Sequence, residues 1–349
     1  MIHDDVEFHN VGELYSDDSD GLRLQRVPES VRTHLNERAQ QRMLAAAATE
    51  IRFVTAGDRV KVKLSSDAGT ELIPFYGPLQ GKERIRIPEE PTEIAIERPA
   101  RLLSINEKTR RHFHFSPDVW RLTLRGEGVR FHGIEGDGLR PPTPEELPKL
   151  RYLSYGTSIT HGAAATAGHL TYVAQTAWRL KADLINLGVG GSAWCEPELA
   201  DHMAERDDWD IATLALSVNM IGGGFSYEEF RQRVTYMIDR VAGSHPNRPV
   251  ACITIFPHFR DFGDEPEAAD RSERFRGILR EAVAGLKHSN VTLIEGPELL
   301  VDPSGLTVDL IHPGDLGMIQ MGENLAARLS ALLTRIMHKL DNKPGVFPT

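Results

Sequence analysis

The sequence predicts an α/β domain built on a parallel sheet, preceded by an antiparallel β-sandwich of jelly-roll type. Three observations carry this reading. Apolar and polar residues alternate in short stretches between about 50 and 135, the two-residue period of half-buried strands. A proline-dense run, Arg140-Pro141-Pro142-Thr143-Pro144-Glu145-Glu146-Leu147-Pro148, then interrupts the chain; proline fixes φ and removes donors, so this run suits a stiff linker. Beyond it, near-continuous apolar runs alternate with amphipathic stripes, the pattern of parallel strands covered on both faces by helices. The expected division is a sandwich over 1–139, a linker over 140–149 and the second domain over 150–349.

The totals bound the function. The chain has 349 residues, 40% of them hydrophobic and 26% charged, which suits two globular domains. No run approaches the roughly 18 apolar residues of a membrane helix, and the start, Met1-Ile2-His3-Asp4-Asp5, lacks the apolar core of a secretory signal. A formal charge of −10 argues against nucleic acid and anionic membrane surfaces as partners. The two cysteines, Cys195 and Cys252, lack metal-ligand spacing. Two incidental thiols fit a reduced, cytoplasmic protein. Nothing in the totals sets the oligomeric state.

In chain order, residues 1–30 are polar and aperiodic and predict an arm or an edge strand. The alanine run Ala45–Ala48 predicts a short helix within 31–48. Thr55-Ala56-Gly57-Asp58 predicts a hairpin turn ahead of the alternating Val60, Val62 and Leu64. The pairs Ile85/Ile87, Ile94/Ile96 and Phe113/Phe115, and the triplet Trp120/Leu122/Leu124, predict further sandwich strands. In the second domain, strands are expected at 153–155, 184–187, 211–216, 250–256 and 291–294. Helix stripes run through Leu170–Trp178, Phe230–Val241, Phe275–Leu286 and Leu325–Ile336.

Ligands of such sheets sit beyond the carboxyl ends of the strands. Four strand ends carry chemistry here: Gly156-Thr157-Ser158; Asn186-Leu187-Gly188-Val189-Gly190-Gly191; Ser217-Val218-Asn219-Met220; and Asp309-Leu310-Ile311-His312-Pro313. Together they offer what acyl transfer needs. Ser158 is a hydroxyl nucleophile that works once a base takes its proton. His312 is an imidazole suited to that task, and Asp309 is a carboxylate to fix its tautomer. The backbone N–H groups of Ser158 and Gly191 and the side-chain amide of Asn219 are candidate oxyanion donors.

At these residues the sequence resembles the SGNH, or GDSL-like, hydrolases. Gly156-Thr157-Ser158-Ile159 is similar to the block that carries the serine, and Asn186–Gly191 to the block whose last glycine donates to the oxyanion. Ser217-Val218-Asn219 resembles the asparagine block and Asp309-Leu310-Ile311-His312-Pro313 the acid–base block. The resemblance spans roughly 150–340. It implies a flavodoxin-like three-layer fold, no cofactor, and ester hydrolysis or acyl transfer. The sequence departs from the family at Thr157, where an aspartate is usual, at Ser217, where a glycine is usual, and at Met220, where an aspartate is usual. A sandwich ahead of such a domain looks like bacterial two-domain members, which include carbohydrate-type acetyl esterases and natural-product acyltransferases. That implies a small acyl ester of a sugar or other hydroxylated compound as substrate, with transfer to an alcohol as the alternative.

Other residues weigh less. Trp194 and His258 follow strand ends and are candidates for the substrate pocket, though His258 lacks a carboxylate at useful spacing for a rival base. His161 and His169 read as loop or cap residues. His112 and His114 share an expected strand face, but no third metal ligand accompanies them. Glu196 and Glu198 flank Pro197 as the acidic start of a helix. An α/β-hydrolase would need glycine two residues after the serine, where Thr160 stands. A carbohydrate-binding module with a dead enzyme domain is the remaining rival.

Overall fold

The computed structural model describes residues 1–341, and side-chain surroundings as far as 334. Two antiparallel sheets form the N-terminal part. One has the order Ile2–His3, Val6–His9, Ala45–Phe53, Trp120–Glu127, Thr70–Tyr76, Leu79–Gln80, with Ile85–Ile87 also paired to Thr70–Tyr76. The other has the order Thr92–Glu97, Arg59–Ser65, Arg130–Gly136, Leu22–Gln25, Glu13–Tyr15. Alternation does what it predicts: Val60, Val62 and Leu64 are buried while Lys63 faces solvent. With Phe8, Ile51, Trp120 and Phe131 they make one core between the sheets.

The C-terminal part is a five-stranded parallel sheet ordered Ala182–Asn186, Leu150–Tyr155, Ile211–Ala215, Val250–Ile253, Val291–Ile294. In sequence terms the order is 2-1-3-4-5, the flavodoxin-like arrangement. The inner strands Ile211–Ala215 and Val250–Ile253 are buried on both faces, as is the edge strand Ala182–Asn186. Helices Tyr172–Leu180 and Asp315–Asp341 cover one face through Val173, Met318, Met321 and Leu325. Helices Pro197–Glu205, Tyr227–Ser244 and Pro266–Gly285 cover the other through Leu199, Phe230 and Phe275. A capping box of Ser226 with Glu229 starts one of these helices, and Thr171 caps another by accepting from the Ala174 N–H. The side chain of Ile336 lies outside the described residues.

Several expectations are corrected. Ala45–Ala48 is strand, not helix: it opens the nine-residue strand Ala45–Phe53, paired with Val6–His9 and Trp120–Glu127. Sheet pairing on both edges overrides alanine's intrinsic preference. A short helix does lie within 31–48, at Glu37–Arg42 and not at the alanine run, and another, Glu29–Arg32, precedes it. Thr55–Asp58 joins strands of different sheets, so it is no hairpin. Phe113 and Phe115 lie in a loop after helix Glu107–Arg110, where the His112 ring bonds the Lys108 carbonyl. The linker run is ordered: Arg140 pairs with Glu146 and bridges to Val54.

Candidate active site

Strand Leu150–Tyr155 delivers Ser158 to its carboxyl end, where a one-turn helix, Ser158–His161, begins. Thr157 precedes it as N-cap, its hydroxyl accepting a long 3.4 Å bond from the Ile159 N–H. Ser158 Oγ lies 2.7 Å from His312 Nε2. On the other side of the ring, Nδ1 lies 2.7 Å from Asp309 Oδ2. A carboxylate only accepts, so Nδ1 carries the proton of the neutral ring and Nε2 is left to accept from the serine hydroxyl. This is the polarity that general-base activation requires.

Asp309 is fixed by its own turn. Its Oδ1 accepts from the Ile311 N–H at 2.8 Å, the His312 N–H at 2.9 Å and the Thr307 hydroxyl at 3.0 Å. Leu310 makes room for this turn by adopting φ of 53°. Burial by itself would raise the Asp309 pKa, but the bonds from His312, Ile311 and Thr307 outweigh it and hold the carboxyl well below the usual carboxylate range. Asp309 is therefore ionised wherever the imidazole can serve as base.

The second and third strand ends close around the serine turn. The Val189 N–H donates to the Gly156 carbonyl at 2.7 Å. A Cβ on Gly188 would fall 2.4 Å from the His161 nitrogen, so the two loops touch backbone to backbone. Gly191 has φ of +76°, a conformation that favours glycine. The Asn219 side-chain oxygen accepts from the Ala193 N–H at 3.2 Å, which commits Oδ1 to the glycine loop and leaves the Nδ2 donors at the free end. Ser217 ties the same loops together by donating to the Ala193 carbonyl. Its φ of −146° needs no glycine, and Met220 is fully buried in the core. Both residues that depart from the family pattern here thus have a place in the loops, one as a tie and one as core.

The remaining candidates separate. Trp194 is half-buried on the glycine loop against Phe225, ring centroids 5.4 Å apart, and its carbonyl accepts from Arg233. His258 does not open onto a pocket. It is 1% exposed, with Nδ1 3.1 Å from Asp261 and Nε2 against Ser272. It also does have a carboxylate at useful spacing, Asp261, which Arg276 claims in a bidentate pair. The His161 ring lies between the Gly188 carbonyl and Arg26. His114 and His169 line a 320 Å³ cavity between the two parts of the chain that contains no member of the Ser158–His312–Asp309 relay. Among the described residues no cluster of His, Cys, Asp or Glu could hold a metal.

What the sequence did not reveal is how far the N-terminal part builds the site. Val27, Leu35, Ala39 and Met43 belong to the core of the parallel-sheet domain. Arg26, 2% exposed, donates to the carbonyls of Asn186 and Gly188 at 3.0 and 2.9 Å, and to those of Ala45 and Arg42. Asn10 reaches the Asn186 carbonyl and His9 that of Leu184. Asn36 caps helix Glu37–Arg42 and is held by Glu196 and the Ser192 carbonyl. No periodicity marks such contacts, because their partners stand about 160 positions apart.

The family model of GDSL-like lipases and acylhydrolases matches residues 150–330. No curated protein sequence matches the chain. Among solved structures, the chain is similar to a salicylyl-acyltransferase, SsfX3, of a tetracycline biosynthetic pathway, with a TM-score of 0.77 and 16% identity over 94% of this chain and 95% of that one. It is similar to a Bacteroides ovatus protein described as a GDSL-like lipase, with a TM-score of 0.68 and 19% identity over 94% of this chain and 98% of that one. It is also similar to a family two carbohydrate esterase of Cellvibrio japonicus, with a TM-score of 0.63 and 14% identity over 95% and 96%. These likenesses run the length of both chains and so share the two-part fold. With a family model covering more than half of its residues, the chain belongs to the GDSL-like lipase/acylhydrolase family of ester hydrolases.

Proposed function

We propose that the chain is a serine esterase acting on small acyl esters of a sugar or another hydroxylated compound. Ser158 Oγ attacks the ester carbonyl while His312 Nε2 takes its proton. The resulting oxyanion is held by the N–H groups of Ser158 and Gly191 and the amide of Asn219. The C–O bond to the alcohol then breaks, and the alcohol leaves with the proton from His312. Water attacks the acyl-enzyme, again giving its proton to His312. The acyl–Ser158 bond breaks, and Ser158 recovers the proton as the acid departs. Asp309 holds the imidazole in its working tautomer and stabilises the imidazolium. Trp194 walls the acyl or alcohol side.

The relay Ser158–His312–Asp309, with both contacts at 2.7 Å, is the observation that carries this reading. The sugar ester rests on analogy of fold with family two carbohydrate esterases and an acetyl xylan esterase of Butyrivibrio proteoclasticus. The buried, unpaired Cys195 and Cys252 fit a reducing compartment, and the cytoplasm is the proposed location. A second reading, transfer of the acyl group to an alcohol, draws on the TM-score of 0.77 to the salicylyl-acyltransferase. One experiment separates them: p-nitrophenyl acetate is turned over with and without added alcohols, by the wild-type chain and by Ser158→Ala. The esterase reading expects acetate as the main product and a loss of at least about 10³-fold in kcat for Ser158→Ala. Product partitioning wholly to the alkyl acetate would replace hydrolysis by transfer, and unchanged turnover by Ser158→Ala would remove the mechanism.

A further inference from the structure

Helix Glu37–Arg42 comes from the N-terminal part of the chain and ends up over the glycine loop of the site. The Arg38 guanidinium occupies the space beside Gly191: a Cβ built there would lie 2.5 Å from Arg38 Cζ and 2.6 Å from Nη2. Arg42 lies against Gly190 in the same manner, its Cδ and Nε 3.5 Å from such a Cβ. The two arginines differ in one respect. Arg42 is paired with Glu127, whereas Arg38 has neither an ion pair nor a hydrogen bond among the described residues. The helix that carries the exposed Arg38 side chain is itself held in place. Asn36 caps it, Glu196 holds Asn36 through both its backbone and side-chain N–H groups, and Ala39 is fully buried.

We propose that Arg38 is a specificity-determining residue that holds an anionic group of the substrate, a carboxylate or phosphate on the acyl or the alcohol side of the ester. The inference rests on the serine-esterase reading and deepens it. The guanidinium stands on the Cβ side of Gly191, apart from the N–H that faces the oxyanion in that reading. Its forked donors match a carboxylate or phosphate. The chain as a whole carries a formal charge of −10. Its general field therefore repels an anionic ester, and an exposed, unpaired cation beside the glycine loop draws one in locally.

The test uses three esters with similar leaving groups: neutral phenyl acetate, 4-acetoxybenzoate with its charge on the alcohol side, and monophenyl succinate with its charge on the acyl side. The ratio of kcat/KM for each anionic ester to that for phenyl acetate is measured for the wild type, Arg38→Ala and Arg38→Lys. The ratio for one of the two anionic esters is expected to fall about 10–100-fold in Arg38→Ala and less in Arg38→Lys; which ester responds identifies the side. Calorimetric titration of benzoate and succinate into Ser158→Ala, with and without Arg38→Ala, reads the same contact without turnover. Ratios that stay constant, together with anion binding that does not depend on Arg38, overturn the proposal. Phenyl acetate turnover that Ser158→Ala abolishes keeps the esterase reading standing even then, whereas Arg38-dependent binding without any turnover keeps the anion site and removes the esterase reading.

Discussion

Within the proposed mechanism, Asp309 and His312 form a unit set by three residues of chain. Spacing alone puts both side chains on one turn, and two backbone N–H groups of that turn complete the carboxylate's partners. This is why the contact between the two side chains was legible in Asp-x-x-His-Pro without a structure. The position of Ser158 was legible for a different reason: a small-residue turn at the end of an apolar strand. Thr157, Ser217 and Met220 looked like defects against the family pattern. In the structure Thr157 caps, Ser217 ties the asparagine loop to Ala193, and Met220 fills the core. His258 was misread, because a histidine after a strand end says nothing about whether Asp261 and Ser272 enclose it.

At the scale of elements, strands and long helices followed their periods, and the errors gathered where tertiary contacts outweigh local preference. The clearest case is the run from Asn36 to Phe53. Its first half is a short helix latched to Glu196, and its second half is an alanine-rich strand. Glu196 gives this latch a pH signature. It is 5% exposed, and burial raises its pKa above the usual value despite the Asn36 bonds. The folded chain then binds that proton more tightly than the unfolded chain does. The stability it contributes is present at low pH and is lost as pH rises through the native value. Glu196→Gln keeps an acceptor for Asn36 and cannot ionise. Its melting temperature, compared with that of the wild type, is expected to gain as pH rises above about 4.3, the ordinary glutamate value, and to level off above the raised native one. A gap that stays constant across that range would contradict the assignment.

At the scale of the whole molecule, the two parts are joined by buried charge. Arg52, 1% exposed, makes a bidentate pair with Asp183 at 2.7 Å for each bond, and Glu50 bridges Arg52 to Arg121. Burial alone would raise the Asp183 pKa, and the charge of Arg52 turns it down instead. Asp183→Ala leaves the Arg52 guanidinium buried without its partner across the seam. Urea unfolding is expected to show a loss of about 3–5 kcal/mol; a loss below about 1 kcal/mol, the worth of an exposed pair, would mean the seam is wet and open. None of this was legible in the sequence. Arg52 and Asp183 stand 131 positions apart, and a single charged residue in a strand reads as a solvated face. The parallel sheet, by contrast, followed from alternating strands and helices, and its flavodoxin-like arrangement from the family resemblance.

In the proposed reaction the Oγ of Ser158 takes the acyl group. Brief exposure to diethyl p-nitrophenyl phosphate, followed by peptide mass mapping, tests it most directly: Ser158 Oγ displaces p-nitrophenolate and keeps the diethylphosphoryl group. One label per chain is expected, on the peptide that carries Ser158, and none on the same peptide of His312→Ala. A label on another residue, or full esterase activity in a chain labelled at Ser158, would contradict it.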